Sequence, residues 1–202
     1  RIASLSALAL NVLCECINQY SASRPGVEVS LDVRNSLSVL ELAAANQFDV
    51  GFVHQLQAEY PGVDTFPLKS VPAVCVMQAG HRLAAQDSVH LHDLRGEQII
   101  SLGQNNPLRV RLESALRDAG IDYQRPIETT LAYSACNFVR GNLGITVVDP
   151  FTAANFKDPL VVSRPLFPMI PFECSYVLPT HQHRPKAVED FIHTVKEHFE
   201  AV

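Results

Sequence analysis

Short hydroxyl and amide side chains recur in this sequence where predicted strands end and helices begin. They are Ser4, Ser6, Asn35, Ser36, Ser101, Gln104, Thr129, Thr130, Ser134 and Thr152. In open parallel sheets, ligands bind beyond the carboxyl ends of the strands, where helix N-termini present unpaired N–H groups. Hydroxyl donors beside such helix starts favour a carboxylate or a similar anion without a buried arginine. The alternative for each residue is that it only caps a helix, which contributes about 1 kcal/mol to stability.

Two titratable residues occupy the same kind of position. Asp149 follows the apolar run 145–148 and precedes a proline at the first turn of a predicted helix. It either caps that helix or, if it faces a ligand, binds an ammonium or guanidinium group. His54 follows the apolar segment 48–53 and is either a solvated loop histidine or a group that contacts a ligand.

Motifs that would indicate an enzyme are absent from the sequence. It contains no G-x-G-x-x-G, P-loop, H-E-x-x-H or G-x-S-x-G motif. His90 with His92 and His181 with His183 form i,i+2 pairs, but no cysteine or carboxylate spacing completes a metal site. We therefore predict no catalytic residues, no metal and no cofactor.

The composition describes a folded chain without a nucleic-acid surface of its own. Its 202 residues are 47% hydrophobic and 18% charged, with a formal net charge of −5. No basic stripe appears, and no apolar run approaches the roughly 20 residues of a membrane span. The five cysteines lie in apolar runs, which predicts buried free thiols in a reducing compartment such as the cytoplasm.

Strand and helix patterns alternate along the first part of the chain. Residues 7–22 show a helical apolar face, residues 27–33 alternate as a half-buried strand, and Asn35 begins a helix at 37–45. With the strand at 48–53, this order is the signature of a parallel α/β sheet.

The pattern begins again after residue 98, so the second part carries its own α/β lobe. Segments 71–77 and 172–178 are β-rich runs that predict two crossings between the lobes. The last helix, 186–201, has one apolar stripe and is expected to pack on the first lobe. We therefore predict lobe I as 1–74 with 176–202, and lobe II as 75–175.

A set of ordered segments resembles a known family over essentially the whole chain. They are RPGVEVSLDV, NQFDVGFVH, VPAVCVMQAGHRLA, HLHDLRGEQIISLG, IETTLAYSACNFVRGNLGITVVDPFTA and PFECSYVLPTHQHRP. Together they are similar to the effector-binding domain of LysR-type bacterial transcription regulators. One departure is Arg82 after His81, where the family often has proline, in what we interpret as a surface turn.

The resemblance implies a fold, a function and a set of partners. The fold is α/β, with two Rossmann-like lobes joined by two crossing strands in the periplasmic-binding-protein type 2 architecture. A small effector would bind between the lobes, and the domain would form homodimers or tetramers. DNA would be bound only through an upstream winged helix-turn-helix domain that this chain lacks. Segments ISLG, IET and VVDPFTA are similar to the branch of the lysine-biosynthesis activator and the opine-catabolism regulators, which implies an amino-acid-like or carboxylate effector.

The predicted ligand-binding set combines the strand-end residues with two neighbouring aromatic residues. It is Ser4, Ser6, Asn35, Ser36, His54, Ser101, Gln104, Thr129, Tyr133, Asp149 and Phe151. Two other functions fit the same architecture: a solute-binding protein that delivers a metabolite to a transporter, and an enzyme. A solute-binding protein would carry a secretory signal and few free thiols, whereas this sequence shows no such signal and has five cysteines. An enzyme would need a catalytic set, and none can be identified in the sequence.

Overall fold

The computed structural model describes residues 1–55, 59–180 and 184–201. In chain order the strands are β1 (Ile2–Ser4), β2 (Leu31–Val33), β3 (Val50–His54), β4 (Val63–Pro72), β5 (Val74–Gln78), β6 (Val89–His90), β7 (Ser101–Leu102), β8 (Glu128–Thr129), β9 (Thr146–Val148), β10 (Val161–Phe167) and β11 (Pro171–Pro179). The helices are α1 (Ser6–Ala9), α2 (Val12–Ser23), α3 (Ser36–Ala44), α4 (Pro107–Asp118), α5 (Ala132–Arg140), α6 (Pro150–Asn155) and α7 (Lys186–Ala201), with 3-10 turns at Arg82–Ala85 and Leu91–Leu94.

The chain divides into two compact units. Unit 1 comprises Arg1–Ser70 and the segment that begins at Glu173, and unit 2 comprises Val71–Phe172. The chain therefore leaves unit 1 within β4 and returns to it within β11. These positions lie a few residues before the limits expected from sequence.

Unit 1 contains a five-stranded sheet of order β2-β1-β3-β11-β4. Strand β1 runs parallel to both of its neighbours, with Ser4 opposite Val33 on one side and Phe52 on the other. Strand β11 is antiparallel to β3. Because β1 is paired along both edges, its carboxyl end is fixed by backbone hydrogen bonds from two sides.

The last helix packs within unit 1, as its apolar stripe predicts. Phe191, Val195 and Phe199 are buried. The Phe191 ring meets Tyr20 of α2 edge to face at 5.4 Å, and the Tyr20 hydroxyl donates to the carbonyl of Ala187 at 2.8 Å. These contacts join α7 to α2.

Unit 2 has a four-stranded sheet of order β6-β10-β5-β9 and a separate parallel pair, β7 with β8. Helix α4 begins as its sequence predicts, because the side chain of Asn106 accepts from the N–H of Leu108 and Pro107 occupies the first turn. It ends before Gly120, whose φ of 62° needs glycine or a similarly tolerant residue.

Three predicted elements differ from the structure. The helix at 7–22 is two helices, because Asn11 leaves helical geometry at φ −138° and ψ −74°. Only Leu31–Val33 of the strand predicted at 27–33 pairs with β1. The segment predicted as one strand at 71–77 is divided at Ala73 between β4 and β5. Within residues 1–55, 59–180 and 184–201, no helix is both long and apolar enough to cross a membrane.

Candidate functional site

Ser4 and Ser6 lie where β1 meets α1. Ser4 is fully buried, and its hydroxyl donates to the carbonyl of Leu5 at 3.0 Å. Ser6 is half-buried in the first turn of α1, whose N-cap residue Leu5 provides no side-chain hydrogen bond. The hydroxyl of Ser4 is therefore held against its own backbone, and the amides at the start of α1 receive no side-chain cap.

The next candidates in unit 1 lie at the ends of the neighbouring strands. Asn35 caps α3, with its Oδ1 accepting from the N–H of Ser38 at 2.9 Å. The hydroxyl oxygen of Ser36 accepts from the backbone N–H of His54 at 3.1 Å, which ties the start of α3 to the end of β3. Since β2 and β3 flank β1 in register, Asn35 and His54 each lie two residues beyond the partner of Ser4. The structure thus places these residues together at the carboxyl ends of the parallel strands β1, β2 and β3.

The contact between Ser36 and His54 has a chemical consequence. It uses the backbone N–H of His54 as a donor, so the histidine does not act through this contact as a base on the hydroxyl. The contact holds the start of α3 against the end of β3.

The candidates in unit 2 lie on the parallel pair β7 and β8. Ser101 is buried and donates to the carbonyl of Leu102 at 3.2 Å. Thr129 is opposite Leu102, and its Oγ1 accepts from the N–H of Leu131 at 3.3 Å. Gln104, in the loop after β7, is exposed. The hydroxyl-bearing residues of the two adjacent strand ends are therefore neighbours.

Helix α5 follows β8 directly and starts without a side-chain cap. Its N-cap position is occupied by Leu131, which makes no side-chain hydrogen bond. In the same segment, Thr130 is exposed and Ser134 is half-buried. Tyr133 is 36% exposed and contacts Phe156 edge to face at 5.1 Å. The first amides of α5 thus lie next to Thr129 without a side-chain acceptor.

Asp149 is bound into the start of α6. Its side chain is buried, its Oδ1 accepts from the N–H of Thr152 at 2.7 Å, and its Oδ2 accepts from the Thr152 hydroxyl at 2.8 Å. Burial raises the pKa of Asp149 above its ordinary value, while the hydrogen bonds from Thr152 oppose this rise. These contacts are those of an N-cap, and a direct contact of Asp149 with a ligand stays a prediction.

Phe151, in the first turn of α6, meets Phe172 edge to face at 6.0 Å. Phe172 is the last residue of unit 2 before the chain returns to unit 1. The ring of Phe151 therefore connects the start of α6 to the beginning of β11.

Sequence reasoning missed a charged cluster beneath β7 and β8. Arg109 of α4 is 6% exposed and donates to Glu113, to Glu128 of β8 and to the carbonyl of Leu102. The i,i+4 spacing of Arg109 and Glu113 in a predicted helix was a usable signal, but nothing local indicates Glu128.

The remaining members of this cluster surround Glu113. Arg125 donates to the same Glu113 oxygen at 2.7 Å, and Tyr123 hydrogen-bonds to that carboxylate. Burial by itself would raise the pKa of Glu113, but the hydrogen bond and charge of Arg109, with Tyr123 and Arg125, hold it below its ordinary value. Burial and the charge of Glu113 raise the pKa of Tyr123.

The pair of His90 and His92 shows no metal-binding geometry in the part of the chain that is described. His90 and His92 stack with their ring centroids 5.5 Å apart. Within residues 1–55, 59–180 and 184–201, no three His, Cys, Asp or Glu side chains are grouped as metal ligands. His181 and His183 lie outside the described residues.

The cysteines are free thiols, and Cys16, Cys75, Cys136 and Cys174 are buried as predicted. Burial, with a contribution from Glu15, raises the pKa of Cys16 to about 11. Burial raises the pKa of Cys75 and of Cys136 to about 12, with smaller contributions from Glu97 and Asp149 respectively. Cys14 is exposed, because it lies on the solvent side of α2, and the prediction that it is buried is wrong.

Comparison with known proteins identifies the family. Residues 1–200 match the family described as the LysR substrate binding domain. The chain is 38% identical over 191 residues to the regulatory protein NocR of Agrobacterium tumefaciens (strain T37), which covers 95% of the chain and 63% of NocR. It is 32% identical over 163 residues to the octopine catabolism/uptake operon regulatory protein OccR of Rhizobium meliloti, covering 80% of the chain and 53% of OccR. The chain thus spans little more than half the length of these relatives.

A solved structure agrees with the fold. The effector-binding domain of BenM, in complex with its effector benzoate, superposes with a TM-score of 0.84 and 19% identity, covering 100% of the chain and 91% of that domain. This confirms the predicted α/β class and its periplasmic-binding-protein type 2 architecture. The relatives are regulatory proteins, in agreement with the prediction that the domain is not an enzyme. The chain belongs to the LysR substrate-binding domain family and is the effector-binding domain of a LysR-type regulator.

Proposed function

We propose that this domain binds an amino-acid-like or carboxylate effector and thereby controls transcription by the regulator that contains it. The observation that carries the effector class is the similarity, over 80% of the chain, to OccR, whose name refers to octopine, an amino-acid conjugate. The chemistry of the strand ends supports the same class, since hydroxyls and helix-start amides suit a carboxylate.

The proposed contacts in unit 2 are the best defined. Ser101 and Thr129 present their hydroxyls on adjacent strand ends, and α5 begins beside them without a side-chain cap. A carboxylate that accepts from the hydroxyls and from the first amides of α5 would satisfy donors that the described residues leave uncapped. In unit 1, Ser4, Ser6 and Ser36 offer the same chemistry at the ends of β1 and the start of α3.

Asp149 has a different part in this proposal. Because both of its oxygens accept from Thr152, it fixes the first turn of α6 and contributes to the site through that turn. Asn35 has the same role for α3. Both residues are therefore proposed to position their neighbours.

The proposal extends to the whole regulator. We infer that it acts in the cytoplasm, forms homodimers or tetramers through this domain, and binds DNA through an upstream winged helix-turn-helix domain. Effector binding would shift the population between two conformations of the regulator, and that shift would alter the attached DNA-binding domains.

A thermal-shift series tests the effector class. The panel comprises octopine, arginine, lysine and succinate, because a compound that binds only the folded chain raises its melting temperature. At a concentration of about 100 times Kd, we expect a rise of about 5 °C or more. The variant Thr129→Val should lose most of this rise, whereas Ser114→Ala, an exposed hydroxyl on α4, should keep it.

The outcomes separate the parts of the proposal. If succinate alone raises the melting temperature, the effector is a plain carboxylate and the amino-acid class is wrong. If no compound raises it, the proposed effector class fails altogether. A normal rise in Thr129→Val would remove Thr129 from the site.

A further inference from the structure

Arg109 is a charged side chain in an unusual environment. Its side chain is 6% exposed. In the described part of the chain, Arg109 and Asp149 are the charged residues that are buried. Removing a guanidinium from water is costly unless hydrogen bonds and opposite charges compensate for it. The structure supplies both.

Each partner of Arg109 belongs to a different element. Its Nη1 donates to the carbonyl of Leu102 on β7 at 2.8 Å and to Glu128 Oε2 on β8 at 2.6 Å. Its Nε donates to Glu113 Oε1, one turn further along α4, at 2.8 Å. One planar guanidinium therefore joins two strands to the helix that packs beside them.

The two strands that Arg109 joins are short. Strands β7 and β8 contain two residues each and pair as Ser101 with Glu128 and Leu102 with Thr129. Arg109 thus binds one residue from each of these two pairs, and the other residue of each pair is the candidate ligand residue Ser101 or Thr129. Arg109 therefore contacts the residue opposite each of the two candidates and neither candidate itself.

Apolar packing leaves this region incompletely filled. A small cavity is lined by Ser101, Leu102, Arg109, Glu113 and Tyr123, together with neighbouring aliphatic side chains. Strands β7 and β8 are joined by backbone hydrogen bonds, including the bond from the Ser101 amide to the carbonyl of Ile127. The hydrogen bonds of Arg109 add a second, side-chain link between the same two strands.

We infer that Arg109 is a positioning residue for the effector site, which fixes the spacing of the Ser101 and Thr129 hydroxyls without contacting the effector. This inference rests on the proposed function. It predicts that affinity depends on a residue whose side chain is buried behind the strand ends.

The first arm of the test needs no effector. NMR-detected amide exchange is compared for the 202-residue chain and its variants Arg109→Gln, Arg109→Lys and Arg117→Gln, the last a matched control because Arg117 is exposed on the same helix. In the Arg109→Gln variant, exchange at the Ser101 amide, which donates to Ile127, should rise about tenfold or more. The Leu5 amide, which donates to Phe52 in unit 1, should not change. Arg109→Lys should give an intermediate rise in exchange, because lysine keeps the positive charge but lacks the planar guanidinium that donates to several acceptors at once.

The second arm measures affinity. For whichever panel compound binds the wild-type chain, Kd is measured at a temperature where every variant is fully folded. Arg109→Gln should weaken Kd about tenfold, with Arg109→Lys between it and the wild type and Arg117→Gln unchanged. If Arg109→Gln does not fold, Glu128→Gln replaces it, since that change removes the charge of the strand partner at a 41% exposed position.

Each result decides a separate statement. Unchanged exchange at Ser101, or an equal rise at the Val76 amide in the sheet of unit 2, overturns the positioning role. A local rise with an unchanged Kd overturns the link to effector binding. If no compound binds the wild-type chain, the proposed function fails, and the exchange arm still decides whether Arg109 positions β7 and β8.

Discussion

The two units hold chemically similar strand ends by different means. In unit 1, Ser4 lies on β1, which is hydrogen-bonded to parallel strands on both sides. In unit 2, Ser101 lies on the two-residue strand β7, and the side chain of Arg109 links β7 to β8. Backbone ladders carry no net charge, whereas ion pairs are weakened by salt and, below about pH 4.3, by protonation of their carboxylates. One domain can therefore hold one strand end by backbone pairing alone and strengthen another by a side-chain ion pair that salt weakens.

The largest effect that tests this comparison is on the packing of unit 1. A Cβ at Gly51 of β3 would lie 2.6 Å from Val177 Cγ2 and 2.6 Å from Val39 Cγ1. Gly51→Ala should therefore lower the free energy of unfolding by about 1–3 kcal/mol, measured by urea denaturation. Gly80→Ala is the matched control, because no atom lies within 4 Å of its Cβ position. A loss of the same size in both variants would show that close packing against β3 does not secure this strand.

An effect of intermediate size concerns pH and unit 2. Because the folded-state pKa of Glu113 lies below its unfolded value, its contribution to stability is complete above about pH 4.3 and is lost as pH falls through the folded-state pKa. Glu113→Gln should therefore be less stable than the wild type at pH 6, and the gap should narrow by about pH 3.

Urea unfolding at the two pH values measures this gap. Glu28→Gln, at an exposed position in unit 1, serves as the control. A gap for Glu113→Gln that stays constant between the two pH values would mean that the charge of Glu113 contributes nothing to unit 2.

The smallest effect concerns salt. The Debye length falls from about 10 Å at 0.1 M to about 3 Å at 1 M salt, and the pair of Arg125 with Glu113 is partly exposed. Amide exchange at Ser101 should rise about two- to threefold over this range, while exchange at Leu5 stays constant. Equal responses at the two amides would remove the distinction between the units.

Local sequence signals predicted the elements better than their connections. Helix α7 was predicted at 186–201, with the limits that the structure shows, because its apolar stripe defines it locally. The strand at 27–33 was predicted too long, since alternation does not reveal how many residues find a pairing partner.

The site shows the same division. Capping by Asn35 and by Asp149 follows from residue type and position, and both caps are present in the structure. The contact of Arg109 with Glu128 joins residues that are 19 apart in sequence, and it depends on the register of β7 with β8. No local pattern encodes that register, so the cluster became visible only in three dimensions.

Because Cys14 is exposed and the other four cysteines are buried, the domain can be labelled selectively at one thiol. Only a thiolate attacks a maleimide, and burial keeps Cys16, Cys75 and Cys136 protonated at neutral pH. Cys174 is also enclosed, whereas Cys14 is open to solvent. A fluorophore or spin label can therefore be attached at a single site on α2 of the unmodified chain. Such a reporter would follow conformational change during effector titrations without an engineered cysteine.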